Sequence, residues 1–179
     1  MNDTRDIRNL ALIGFMGTGK SVVGQFVAEH LRFEFVDTDA LVEQQAGRKI
    51  AEIFRDEGEP AFRERERAVV QALAARSCTV IATGGGLVTY QDNLALLKSH
   101  ALVVCLWASP EAIYERVRSH DHRPLLHDPD PLARIRNLLA LREPFYRQAD
   151  VLINAEFRTV PEVGLQVLHQ FQGAGAGSR

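Results

Sequence analysis

Gly14-Phe15-Met16-Gly17-Thr18-Gly19-Lys20-Ser21 is the run whose residue types and spacing dictate a chemistry most narrowly. It fits G-x-x-x-x-G-K-[ST], with an apolar run over 10–13 before it and helix-forming residues after it. Small residues let successive backbone N–H groups turn into one concavity, and the helix that follows adds its positive N-terminal end. Lys20 then reaches the β- and γ-phosphates of a nucleotide, and the Ser21 hydroxyl can ligate Mg²⁺. A turn that merely joins a strand to a helix requires neither group. The run predicts binding of a nucleoside triphosphate.

Two other local sequences stand out. Asp37-Thr38-Asp39 closes a short run over 34–37, and Gly84-Gly85-Gly86 follows an apolar run over 79–83. With 10–13, 101–107 and 151–154, these runs give five strands. Between them lie helical patterns over 20–31, 50–57, 60–76, 91–99, 110–118, 131–147 and 160–171, the fifth opened by Ser109-Pro110. Such alternation implies an α/β fold with a parallel sheet covered by helices on both faces. Ligands of these sheets sit beyond the carboxyl ends of the strands. The phosphate loop, the acid pair and the glycine run are therefore expected to converge on one pocket.

No apolar run ending in Asp supplies the usual metal-supporting strand, so Asp37 is the candidate to assist Mg²⁺ beside Ser21. One reading continues the strand past Asp37, and along a strand residues two apart share a face. Otherwise Asp37-Thr38-Asp39 caps a helix starting near Ala40. The segment 119–131 holds His120, His122, Arg123, His127 and three prolines without helical periodicity, and reads as a mobile lid over the site.

The 179 residues suit a single domain, 1–179, with a glycine-rich tail over 173–179 expected to fray. A formal net charge of −2 gives no reason to expect nucleic acid as a partner, and no apolar stretch reaches membrane-spanning length. Cys78 and Cys105 lie in apolar runs and read as buried, reduced thiols. The N-terminal segment lacks the apolar stretch of a signal peptide, so a cytoplasmic location is expected. The six histidines show no metal-ligand spacing, and nothing demands more than a monomer.

The absence of an Asn-Lys-x-Asp motif argues against a GTPase, and the chain is short for a motor or transporter core. A small nucleoside or metabolite kinase remains. Taken in order, Gly14 to Ser21, Asp37-Thr38-Asp39, Phe62-Arg63, Gly84-Gly85-Gly86, Arg123-Pro124-Leu125-Leu126 and Arg142 resemble the shikimate kinases over residues 10–171. The resemblance implies a P-loop kinase fold, with a five-stranded parallel sheet and a mobile lid. It also implies transfer of the ATP γ-phosphoryl group to the 3-hydroxyl of shikimate. The alternatives are a gluconate kinase or related small-metabolite kinase, and a non-catalytic nucleotide-binding regulator.

What the resemblance implies for residues is specific. Asp39 orients the reacting hydroxyl or accepts its proton, Lys20 holds the phosphates, and Arg123 closes over them to neutralise developing charge. ATP is gripped by Gly17, Thr18, Gly19, Lys20, Ser21 and Val22, with Arg116 either stacking on adenine or lying on the helix surface. Mg²⁺ falls to Ser21 and Asp37. Arg63 and Arg142 fork the substrate carboxylate, Gly85 and Gly86 contact the ring, and Phe54 and Phe62 line the pocket. Read without the resemblance, Arg63-Glu64-Arg65-Glu66-Arg67 looks like a solvated, salt-bridged helix face. The stretch 158–161 departs from the family pattern, leaving the adenine contacts there unassigned.

Overall fold

The computed structural model describes residues 5–90, 92–118 and 128–175. Five parallel strands, β1 (Asn9–Ile13), β2 (Glu34–Asp37), β3 (Thr79–Ala82), β4 (Ala101–Trp107) and β5 (Val151–Asn154), form one sheet in the order β2-β3-β1-β4-β5. The register follows Leu10↔Val80 and Leu10↔Leu102, so β3 ends one residue short of β1 and β4 runs two residues past it. The central strands are buried almost throughout, as expected of strands covered on both faces. Alternation then divides their side chains between two cores. Leu10, Leu12, Val80, Leu102 and Val104 pack under α1 (Lys20–Leu31) and α8 (Val160–Gly175). Ala11, Ile13, Ile81, Val103 and Cys105 face the other layer.

That second layer holds α2 (Thr38–Ala46), α3 (Ile50–Asp56), α4 (Gly58–Leu73), α5 (Asn93–His100), α6 (Pro110–Val117) and α7 (Pro131–Tyr146). Ser109 caps α6 by accepting from the Ala112 N–H, and Asp130 caps α7 through Ala133. No helix among the described residues is long and apolar enough to cross a membrane.

Two expectations change, over the C-terminal tail and at Cys78, and one choice is decided. β2 ends at Asp37 as its run predicts, and of the two readings of Asp37-Thr38-Asp39 the cap holds: a helix over Thr38–Ala46, absent from the periodic patterns, begins at once with Asp37 as its N-cap. The reason is local, since the Asp37 carboxylate accepts from the N–H groups of Asp39 and Ala40 and turns the chain. Gly173 to Gly175 belong to α8 rather than to a frayed tail, because the apolar face of this helix keeps packing on the sheet; Phe171 and Ala174 both reach that core. Cys105 is buried in β4 but Cys78 is exposed, at a left-handed turn with φ 55° that directs it off the sheet. Of the expected lid, residues 119–127, with His120, His122 and Arg123, lie outside the described residues, and 128–130 lead into α7.

Candidate active site

The phosphate loop leaves β1 through Gly14, where φ is 133° and a Cβ would stand 2.4 Å from the Leu106 carbonyl oxygen. Gly19, at φ 94°, is the left-handed N-cap of α1, a conformation open to glycine at little cost. Thr18 Oγ1 donates to the Phe15 carbonyl at 2.8 Å, and Lys20 Nζ donates to the same oxygen at 2.8 Å. The buried lysine is thereby folded across its own loop, with its ammonium at the loop mouth.

The turn after β2 brings the acids to that mouth. Ser21 Oγ donates to Asp37 Oδ2 at 3.0 Å, while Asp37 Oδ1 holds the first turn of α2. This pair of hard oxygen donors matches the chemistry of Mg²⁺. Asp39, on that first turn, points inward rather than alternating along a strand. Its Oδ1 is buried and has no hydrogen-bond partner among the described residues. Burial, reinforced by Asp37 and opposed by Lys20 and Arg63, holds the Asp39 carboxyl above the usual carboxylate range. A buried carboxylate oxygen with an unmet acceptor position is suited to receive a hydroxyl proton.

The glycine run fits around these side chains. Gly84 N–H donates to Thr38 Oγ1 at 3.0 Å, and a Cβ at Gly84 would meet Asp39 Oδ1 at 2.5 Å. At Gly86 a Cβ would lie 2.9 Å from the Arg63 guanidinium, and at Gly85 it would lie 3.6 Å from that of Arg142. The two arginines thus approach one turn from α4 and α7. Arg63 stacks its guanidinium 5.3 Å from the Phe62 ring centre, and Arg142 lies 5.4 Å from that of Phe15. Phe54 and Phe62 touch, with ring centres 4.8 Å apart; Phe62 is buried in the core and Phe54 is partly exposed.

A cavity of about 390 Å³ joins the phosphate loop, Asp37, Asp39, Gly85 and Arg116. Val22 lines it too, and a second cavity of about 240 Å³ on the far side of Arg116 takes in Thr18, Arg158, Thr159 and Val160. Arg116 bridges the two, donating to the carbonyls of Gly17 and Ala155. It is therefore tied to the loop and is not a free helix-surface arginine. Arg63 and Arg142 stand at the glycine turn, and with Gly86, Phe54 and Phe62 they lie outside the walls of the larger cavity.

The charged face of α4 is not wholly solvated. Glu66 is 1% exposed, and its Oε2 accepts from Arg63 NH1 at 2.6 Å. Burial pushes its carboxyl up, against the pull of Arg63 and Arg142. Its spacing from Phe62, Val69, Val70 and Leu73 places it on the apolar stripe of the helix, a signal that the alternating charges of 63–67 concealed. Tyr146, one turn beyond Arg142, is the other residue missed. It is 1% exposed, and its hydroxyl donates to the Gly85 carbonyl at 2.6 Å. Burial pushes its pKa up to about 12, which keeps it a donor.

Comparison with known proteins bears on the family and the fold. The shikimate kinase family model matches residues 16–172. The chain belongs to the shikimate kinase family. A shikimate kinase of Symbiobacterium thermophilum is 46% identical over 170 residues, covering 93% of this chain and 98% of that protein. One of Caldanaerobacter subterraneus subsp. tengcongensis is 45% identical over 165 residues, covering 92% and 96%. Among solved structures, shikimate kinase from Acinetobacter baumannii in complex with shikimate has a TM-score of 0.88 at 36% identity, covering 94% of this chain and 95% of that one. A gluconokinase from Sinorhizobium meliloti, with a TM-score of 0.61 at 20% identity, shares the fold. As a shikimate kinase, this chain is an ATP-dependent phosphotransferase with the P-loop kinase fold.

Proposed function

We propose that the 179 residues act as one kinase domain, carrying the γ-phosphoryl group of ATP to the 3-hydroxyl of shikimate with the residue roles that follow. The backbone of Gly17, Thr18 and Gly19 and the Lys20 ammonium receive the phosphates, while Val22 and Arg116 flank the nucleotide. Arg158, Thr159 and Val160, which line the second cavity, take the adenine side. Ser21 and Asp37 hold Mg²⁺, which when bound neutralises charge shared between the β- and γ-phosphates. Arg123 is assigned to the charge that develops on the phosphates.

On the acceptor side, Arg63 and Arg142 fork the shikimate carboxylate. The backbone of Gly85 and Gly86 lies against the ring, and Phe54 and Phe62 wall it. Asp39 accepts the hydrogen bond of the 3-hydroxyl and takes up its proton as the new O–P bond forms and the bond to the ADP oxygen breaks. The observation that carries this reading is the buried Asp39 Oδ1, without a hydrogen-bond partner among the described residues, beside Lys20, Gly84 and Arg63. The enzyme works as a cytoplasmic monomer.

The test is ADP release from Mg-ATP with shikimate, with gluconate and with neither, and the product assigned by phosphorus NMR. Phosphorylation at the 3-oxygen of shikimate, over a low background, is expected. Turnover of gluconate with none of shikimate would overturn the substrate assignment, and ATP binding without turnover would return the regulator.

A further inference from the structure

Arg63 has two carboxylate partners of unequal standing, both on α4. Glu66, three residues later, holds NH1 from inside the fold at 2.6 Å. Glu59, four residues earlier, lies in the first turn of the helix with its side chain 61% exposed. A single oxygen, Glu59 Oε1, accepts from both Nε at 3.1 Å and NH2 at 2.9 Å, and so covers the side edge of the guanidinium. Releasing Glu66 would strand a charge in the interior, whereas an exposed i,i+4 pair is weak and water readily takes the carboxylate back.

A bidentate carboxylate needs two parallel N–H donors on one edge of the fork. With NH1 tethered to Glu66, the Nε–NH2 edge is the one that can be exchanged without breaking a buried pair. We propose that Glu59 is an internal stand-in for the substrate carboxylate, and that shikimate binds by displacing it from this edge of Arg63. The inference rests on the role given above to Arg63. Exchanging one carboxylate for another keeps the charge around the fork unchanged on binding. A neutral ring polyol cannot make that exchange, so Glu59 also favours anionic acceptors over uncharged ones.

Steady-state kinetics of Glu59→Gln and Glu59→Ala test this, with shikimate and with its analogue bearing a carboxamide in place of the carboxylate. In both variants the KM for shikimate should fall about two- to fivefold, the range open to an exposed pair. kcat and the KM for ATP should hold, and the KM for the carboxamide should not fall. An unchanged or raised KM for shikimate, or an equal fall for the carboxamide, overturns the stand-in. Arg63→Ala is measured alongside. If it leaves the KM for shikimate unaltered, the role of Arg63 fails and the inference with it. If it raises that KM while the Glu59 variants do nothing, the stand-in alone fails.

Discussion

The phosphate loop and the proposed acceptor side present donors to anions by different means. On the first, glycine conformations and a helix N-terminus aim backbone N–H groups, with one lysine folded over the loop. On the second, guanidinium groups from α4 and α7 reach a glycine turn, and each rests on other side chains: Arg63 on Glu66 and Phe62, Arg142 on Phe15. A backbone cradle depends on few side chains beyond its own loop. A fork of half-buried arginines depends on the acids and rings behind it, so loss of one partner can strand another. Substitutions should therefore separate ATP binding from acceptor binding on the second side only.

The largest separation is expected at Asp39. Asp39→Asn keeps the shape and removes the proton acceptor, so kcat should drop about 10²- to 10⁴-fold while ATP affinity, read by calorimetry, persists. The same carboxyl gives a pH test with a definite sign. Its folded pKa is raised, by burial first and then by Asp37, so the native state favours the neutral form. Its stabilising contribution is complete below the ordinary carboxylate pKa and is lost as pH rises through the raised value. Asp39→Asn should accordingly melt above the parent protein at neutral pH, with the margin closing in acid. The acid limb of kcat/KM should lie above the ordinary carboxylate range.

Next comes Arg63→Ala, which leaves Glu66 buried and unpaired. A loss of about 3–5 kcal/mol in urea unfolding is expected, alongside a large rise in the KM for shikimate. Replacing both residues, as Arg63→Met with Glu66→Leu, should recover much of the stability and none of the acceptor binding. Equal stability of the single and double variants would show that the pair is not coupled. Tyr146→Phe should act more mildly. It leaves the Gly85 carbonyl without its donor, for about 1–3 kcal/mol, and raises the KM for shikimate but not that for ATP. A matching change in both KM values would mean that Tyr146 supports the whole sheet edge. Smallest of all, Arg76→Ala removes an exposed pair with Glu34 and should shift stability by no more than about 0.5 kcal/mol.

Legibility divided along the same line. β1, the phosphate loop and α1 were readable because the loop's chemistry is written in consecutive residues with little freedom of type. All five strands followed from short apolar runs, and the sheet edge alone predicted that Gly19, Asp39 and Gly85 would share a cavity. The residues proposed for the acceptor side were picked out by family motifs, whereas the side chains that hold Arg63 and Gly85 were not legible. Glu66 was hidden because its charge outweighed its place on an apolar stripe, and Tyr146 because a buried aromatic reads as core. The start of α2 was obscured for another reason: Asp37 both ends a strand and caps a helix, and alternation continues only if the strand does. Cys78 escaped prediction because a left-handed turn, not hydropathy, sets its exposure.

The most direct test of a site with separable halves is to measure ATP binding and shikimate-dependent ADP release together in the Arg63→Ala protein. The account predicts ATP affinity near that of the parent, with turnover restored only at greatly raised shikimate concentrations. Parental KM values for shikimate in that protein, or loss of ATP binding from a chain still folded, would contradict it.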